Sequence, residues 1–317
     1  MIARLSTNYI KSRDEAWTAD LVAALARYGH LADCDDECMD LIERCVDSHC
    51  STTEKEIIGS TSLYEVTALQ RRFLTTIDVD GSMSGDMYLN LFGNPSLVLL
   101  ENGPNEWNVY LQMMEAYKHD RKYGNIFKLL RKAAKNKPSS LESLHAGGKG
   151  HVKALINDHN ENKAAYRNLA KYKIYTVNDC DRTSTDCDYD PTTKSNYRFL
   201  CGFEEDAIVD RCNIDTLTQP LYHWHLWRKR AIENYMTPEA YEAVGMNADR
   251  YADCDLPERD YLKVDGSLIP GYNKNRIAEV AKSMSHADYE SVCDRIGVNG
   301  EVLSEIQLFL LKMAKVV

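Results

Sequence analysis

The chain has 317 residues, enough for one large domain or two modest ones, and its 44% hydrophobic and 27% charged content is that of a globular protein. A net charge of −10 argues against broad non-specific binding to nucleic acid, and no apolar run approaches the roughly 20 residues of a bilayer span. The opening MIARLSTNYIKSRDEAW lacks the apolar stretch of a secretory signal, so the expectation is a soluble cytoplasmic protein with free thiols.

Residues 1–85 read as a helical N-terminal region. DEAWTADLVAALARYG has apolar residues at helical spacing and stops at Gly29. The next predicted helix, DDECMDLIERCVDSH, carries Cys38 and Cys45 of a cluster formed with Cys34 and Cys50. The spacing C-x3-C-x6-C-x4-C departs from the tight pairs of zinc sites, which favours cysteines packed on a helix. A further helix is expected through EVTALQRRFLTTI. The glycine- and aspartate-rich DVDGSMSGD (78–86) then reads as a loop and a domain boundary.

The predicted central domain spans 86–236. SLVLLE (96–101) is an apolar run of strand length bounded by Pro95 and NGPN, and NEWNVYLQMMEAYKHD follows with helical periodicity. Residues 118–137 hold eight Lys or Arg against one Asp. This is a solvated helix face or a track for phosphates, with Lys128, Arg131, Lys132 and Lys135 as its contacts. HAGGKGHVKALI is a glycine-rich turn opening a helix, and KIYTVNDCD (173–181) is a strand ending in acids. RTSTDCDYDPTTKSN (182–196) reads as a loop, with YRFLCG and LYHWHLW as further strands. Strands alternating with helices predict an α/β fold, a mostly parallel sheet flanked by helices. From 237 to 317 a helical C-terminal region is expected, starting at Thr237-Pro238 and ending in the amphipathic EVLSEIQLFLLKMAKVV.

Ligands of parallel sheets sit beyond the carboxyl ends of the strands, where Glu101, Asp179 and Asp181 fall. Side chains two apart on a strand share a face, so Asp179 and Asp181 are expected to point the same way. Three converging carboxylates need a cation, and an all-oxygen set selects a hard ion such as Mg²⁺ or Mn²⁺. Lys149, after Gly147 and Gly148, is a candidate for contact with a phosphate. His223 and His225 lie two apart beside tryptophans, a pattern that favours packing over ligation.

A strand ending in glutamate before a glycine-containing turn (LLENGPNEW), Gly-Gly-Lys, a strand ending in D-x-D (VNDCDR) and the closing AIENYM together resemble the TOPRIM fold. That fold is shared by topoisomerases, primases and OLD-family nucleases. The arrangement is most similar to OLD-type nucleases and to stand-alone TOPRIM effectors of phage-defence systems such as PARIS. The resemblance covers roughly residues 96–236. It departs from the OLD pattern in placing Asn102 after Glu101 and the next acid, Glu106, five positions on.

The resemblance implies a TOPRIM-like (Rossmann-like) domain and a metal-dependent endonuclease acting on DNA or RNA. Glu101, Asp179, Asp181 and Lys149 would be catalytic, with Glu101, Asp179, Asp181, Glu106 and Glu233 around Mg²⁺ or Mn²⁺. Arg182 and Arg228 would join the basic track on nucleic acid, and Lys229 and Arg230 follow Arg228 in a basic turn. OLD proteins usually carry an ATPase in the same chain, and no G-x-x-x-x-G-K-[ST] loop occurs here. Expected partners are therefore a nucleic-acid substrate, tRNA among the choices, a separate ATPase subunit and a second copy in a homodimer, with no membrane. The competing expectation is a non-catalytic TOPRIM-like scaffold within a defence complex.

Overall fold

The computed structural model describes residues 1–101, 103–202, 208, 221–298 and 300–317. Among the described residues nine strands form three sheets: β1 (Ile2–Leu5), β2 (Leu31–Asp33), β3 (Thr76–Val79), β4 (Ser96–Leu100), β5 (Leu141–His145), β6 (Ile174–Asn178), β7 (His223–Leu226), β8 (Arg295–Val298) and β9 (Glu301–Ser304). The first three pair in parallel in the order β2-β1-β3, the next four in parallel in the order β5-β4-β6-β7, and the last two as an antiparallel hairpin. The protein is thus α/β, with mostly parallel sheets flanked by helices. Among the described residues no helix is long and apolar enough to cross a membrane.

The central sheet is buried on both faces, which is why β4 and β6 read as continuous runs. Along β4, Val98 and Leu100 face a large core with the helices Pro104–Tyr117, Gly124–Lys135 and Glu305–Ala314. Leu97 and Leu99 face a smaller one with Val152, Ile156, Tyr197 and Leu200, from the helices Val152–Asn162 and Pro191–Cys201. The chain moves from β4 out to β5 on one side, then returns past β4 to β6 on the other. Such a reversal leaves a crevice at the carboxyl ends of the two central strands.

Several expectations change. The N-terminal region is itself α/β: its three strands are three or four residues long, too short to print an alternating pattern between long helices. Its unit also extends past residue 85, since Tyr88, Leu91 and Phe92 of helix Gly85–Gly93 pack with Leu21 and Leu25. YRFLCG is the end of a helix and not a strand. Asp190 caps that helix by accepting from the backbone N–H groups of Thr192 and Thr193, Pro191 fills its first turn, and Gly202 ends it at φ 73°. Residues 182–196 are therefore a loop only up to this cap. In the C-terminal region Glu301–Ser304 pairs as β9 with β8 before the last helix begins.

Candidate functional site

β4 and β6 pair with Leu100 opposite Val177, so Glu101 and Asp179 leave the sheet side by side at the crevice. The backbone N–H of Asp179 faces the Glu101 carboxylate, while Glu101 Oε2 is buried without a hydrogen-bond partner among the described residues. Burial and the nearby Asp181 raise the Glu101 pKa. Asp179 is 7% exposed, and its carboxyl is pushed well above the usual range by burial and then by Glu106, Glu233, Glu101 and Asp181. Carboxylates from four separate segments therefore compete for one small volume.

Each segment has a local reason to be there. Gly103 takes φ 79°, a conformation costly for other residues, and turns the chain into the helix opened by Pro104. That helix places Glu106 in its first turn, at the positive end of the helix dipole, and buries it. Glu233 sits in the short 3₁₀ helix Ile232–Tyr235, where Tyr272 Oη donates to its Oε1 at 3.2 Å.

Asp181 does not follow the strand alternation. β6 ends at Asn178, and Asp181 adopts φ 56°, a left-handed conformation that aspartate tolerates better than most side chains. Its N–H donates to the Arg230 carbonyl at 3.0 Å. The two acids of the D-x-D consequently differ: Asp179 is buried, whereas the Asp181 side chain is 45% exposed.

Two lysines supply positive charge. The Gly147-Gly148 turn is tied to β4 by Gly148 N–H donating to the Glu101 carbonyl at 3.0 Å, which brings Lys149 to the acids. Lys149 Nζ contacts Asp181 Oδ2 and Asp190 Oδ2 at 2.6 Å each. Burial opposes its charge, but the two aspartates outweigh burial and raise its pKa. Lys274 Nζ stands 3.6 Å from Glu233 Oε1, and Glu233, Asp179 and Glu106 likewise overcome burial to raise its pKa.

Glu101, Asp179, Asp181 and Glu233 line an open cleft of about 420 Å³ together with Arg230, Lys263, Tyr272 and Lys274. The structure thus brings together Glu101, Glu106, Asp179, Asp181, Glu233 and Lys149. Lys263, Tyr272 and Lys274 are cleft residues that the sequence reading missed. They lie in an irregular stretch some ninety residues after the D-x-D, with no local motif to flag them.

The basic track is not part of this cleft. Lys128, Arg131, Lys132 and Lys135 belong to helix Gly124–Lys135, which runs back towards the start of β5, where Ser140 N–H donates to the Ala133 carbonyl. Lys132 and Lys135 therefore sit at the opposite end of the sheet from the acids. Arg131 and Lys135 also face Glu115. The helix lies away from the acids because helices between parallel strands run antiparallel to them. Arg182 and Arg228 do lie at the carboxyl end of the sheet, in a neighbouring cleft.

His223 and His225 are buried packing residues. His225 stacks edge-on against Trp227, and burial next to Lys315 and Lys312 lowers the His223 pKa to about 4. Lys229 is buried and paired with Asp260. Cys38 and Cys45 lie on the buried face of helix Asp36–His49, and Cys34 contacts Cys38.

The oxygen donors suit a hard ion: the acidic side chains at the crevice offer carboxylates, and one buried oxygen of Glu101 has no partner among the described residues. Among the described residues, however, no group of three or more His, Cys, Asp or Glu side chains forms a cage that could hold a metal ion. Mg²⁺ needs no such cage, since it keeps several waters and takes one or two carboxylates plus phosphate oxygens. No protein-family model, curated protein or solved structure matches the chain.

Proposed function

We propose that the chain is a metal-dependent nuclease whose active site is the acid cleft at the carboxyl ends of β4 and β6. The observation that carries this reading is the gathering of Glu101, Glu106, Asp179 and Glu233 at one crevice, where burial and the neighbouring acids raise the pKa values of Glu101 and Asp179. A divalent cation is the simplest relief of that repulsion. The resemblance of LLENGPNEW, Gly-Gly-Lys and VNDCDR to TOPRIM nucleases points to the same chemistry.

Glu101 and Asp179 would hold Mg²⁺ or Mn²⁺, with Glu106 and Glu233 behind them. The ion would supply activation of water and stabilisation of the leaving oxygen in an in-line attack on phosphorus. Lys149, fixed by Asp181 and Asp190, is aimed to neutralise a phosphate oxygen at the cleft mouth. Lys274 and Arg230 line the same cleft and would meet the phosphate there.

The test is cleavage of plasmid, single-stranded DNA and tRNA with Mg²⁺ or Mn²⁺, comparing wild type with Asp179→Asn and Glu101→Gln. Cleavage by the wild type and its loss in both folded variants are expected. Wild-type protein that cuts none of the three substrates with either ion would end the proposal.

The second reading is a non-catalytic scaffold, favoured by one observation: Lys149 and Lys274 already partly compensate the acids. It predicts the same melting temperature with and without divalent ions, whereas the nuclease reading predicts a rise.

A further inference from the structure

A second cleft of about 230 Å³ adjoins the acids and is lined by Arg182, Tyr189, Trp224, Arg228, Tyr261 and Asp294. Three chain segments supply both clefts. Asp181, Arg230 and Leu262 line the acid cleft, while Arg182, Arg228 and Tyr261, one or two residues away, line the other. Asp181 N–H bonded to the Arg230 carbonyl ties two of these segments together as the shared wall.

The Arg182 guanidinium is held in place, 4.6 Å from the Tyr189 ring centre and 5.4 Å from that of Tyr261. It donates from Nη1 to the Thr185 carbonyl at 3.1 Å and from Nη2 to Tyr261 Oη at 3.3 Å. Arg228 is fixed at its backbone, where its N–H donates to Glu305 Oε1 at 2.8 Å, but its side chain is exposed and has no ion pair among the described residues. Two guanidinium groups, one of them free, face a single carboxylate in a cleft walled by tyrosines. Arginine and aromatic planes of this kind serve phosphates and stacked bases.

We propose that the Arg182/Arg228 cleft binds the nucleotide next to the one held at the acids, so that one single strand of nucleic acid lies across the wall between the two clefts. The purpose of this site rests on the nuclease reading, but its binding does not. The acid cleft alone cannot hold a polyanion well. A short strand gains its hold from the guanidinium pair next door, and the protein's overall negative charge keeps that contact local.

The test measures binding of a fluorescent 12-nucleotide strand, DNA or RNA, to the full chain in EDTA over a range of salt. Wild type is compared with Arg228→Ala, Arg228→Lys, Arg182→Ala and Asp179→Asn. Arg228→Ala is expected to weaken binding about tenfold and to shallow the slope of log affinity against log salt by about 0.7, the value for one phosphate contact on a single strand. Arg228→Lys should recover most of the slope, and Asp179→Asn should bind at least as well as wild type. Arginine-dependent binding without any metal-dependent cleavage would keep this site and remove the nuclease reading. Cleavage with unchanged affinity and slope in both arginine-to-alanine variants would remove this site and keep the nuclease. Equal binding of a duplex of the same sequence, or no wild-type binding, would also overturn it.

Discussion

The N-terminal and central sheets share a plan and differ in electrostatics. Both are parallel, and in both the first strand lies between the second and the third. Both also carry acids at the carboxyl ends of their strands. In the N-terminal sheet each such acid is satisfied. Asp33 meets Arg71, Asp35 accepts from the Cys38 N–H and Thr7 Oγ1, and Asp80 accepts from Ser82 and Tyr88, so all three pKa values are lowered. In the central sheet the buried Asp179 and the half-buried Glu101 lie beside other acids and their pKa values are raised. Topology offers a crevice at both places. Only the crowding of partly compensated acids, with raised pKa values, singles out one of them.

Four experiments would break or sharpen this contrast. The largest effect is expected from Asp179→Asn, with cleavage reduced by about a thousandfold or more, on the scale of removing a principal electrostatic contributor to a transition state. The matched change in the other sheet, Asp80→Asn, should leave cleavage within about twofold, since electrostatic coupling between exposed groups is screened over about 10 Å. Loss of activity in both variants would erase the distinction between the sheets. Lys149→Ala comes next, with an expected fall of about ten- to a hundredfold in kcat/KM if its ammonium serves the phosphate.

The third effect is on stability and its pH dependence. An acid whose folded pKa is raised costs stability as pH climbs above its unfolded value of about 4. In metal-free protein Asp179→Asn should therefore melt higher than wild type at pH 7, with the gap closing towards pH 4. Added Mg²⁺ should raise the wild-type melting temperature by a few degrees and raise that of the variant less. The N-terminal acids have the opposite sign. Their lowered pKa values contribute stability above about pH 4 that is lost as pH falls through the folded values. Asp35→Ala removes such an acid together with a helix cap and should lower the midpoint of denaturant unfolding at pH 7. The smallest effect belongs to Arg71→Ala. Arg71 is half exposed, so its pair with Asp33 is worth at most about 1 kcal/mol.

Much of the central sheet was legible because buried parallel strands write themselves as apolar runs. SLVLL and IYTVN stand out, and the acids that follow them fall where parallel sheets place ligands. The N-terminal strands were hidden because IARL and LAD are shorter than any periodicity can reveal. Helix Pro191–Cys201 was hidden for a different reason: its apolar end resembles a strand, and its start depends on a cap at Asp190 inside a polar stretch. At the site, Glu101, Asp179 and Asp181 were readable from strand ends, but the left-handed turn at Asp181 was not. Lys274 and Tyr272 reach the acids only through tertiary folding, and no spacing in the chain encodes that approach. The basic helix shows the converse, a strong compositional signal that the fold carries to the wrong end of the sheet.

Lys149 has one consequence beyond the cleft. The same ammonium touches Asp181 at the acids and Asp190 at the mouth of helix Pro191–Cys201, and Asn196 of that helix donates to the Lys149 carbonyl. Anything that draws Asp181 away shifts this lysine's allegiance towards Asp190. Occupancy of the crevice is therefore expected to be felt at that helix, through one side chain shared between two aspartates.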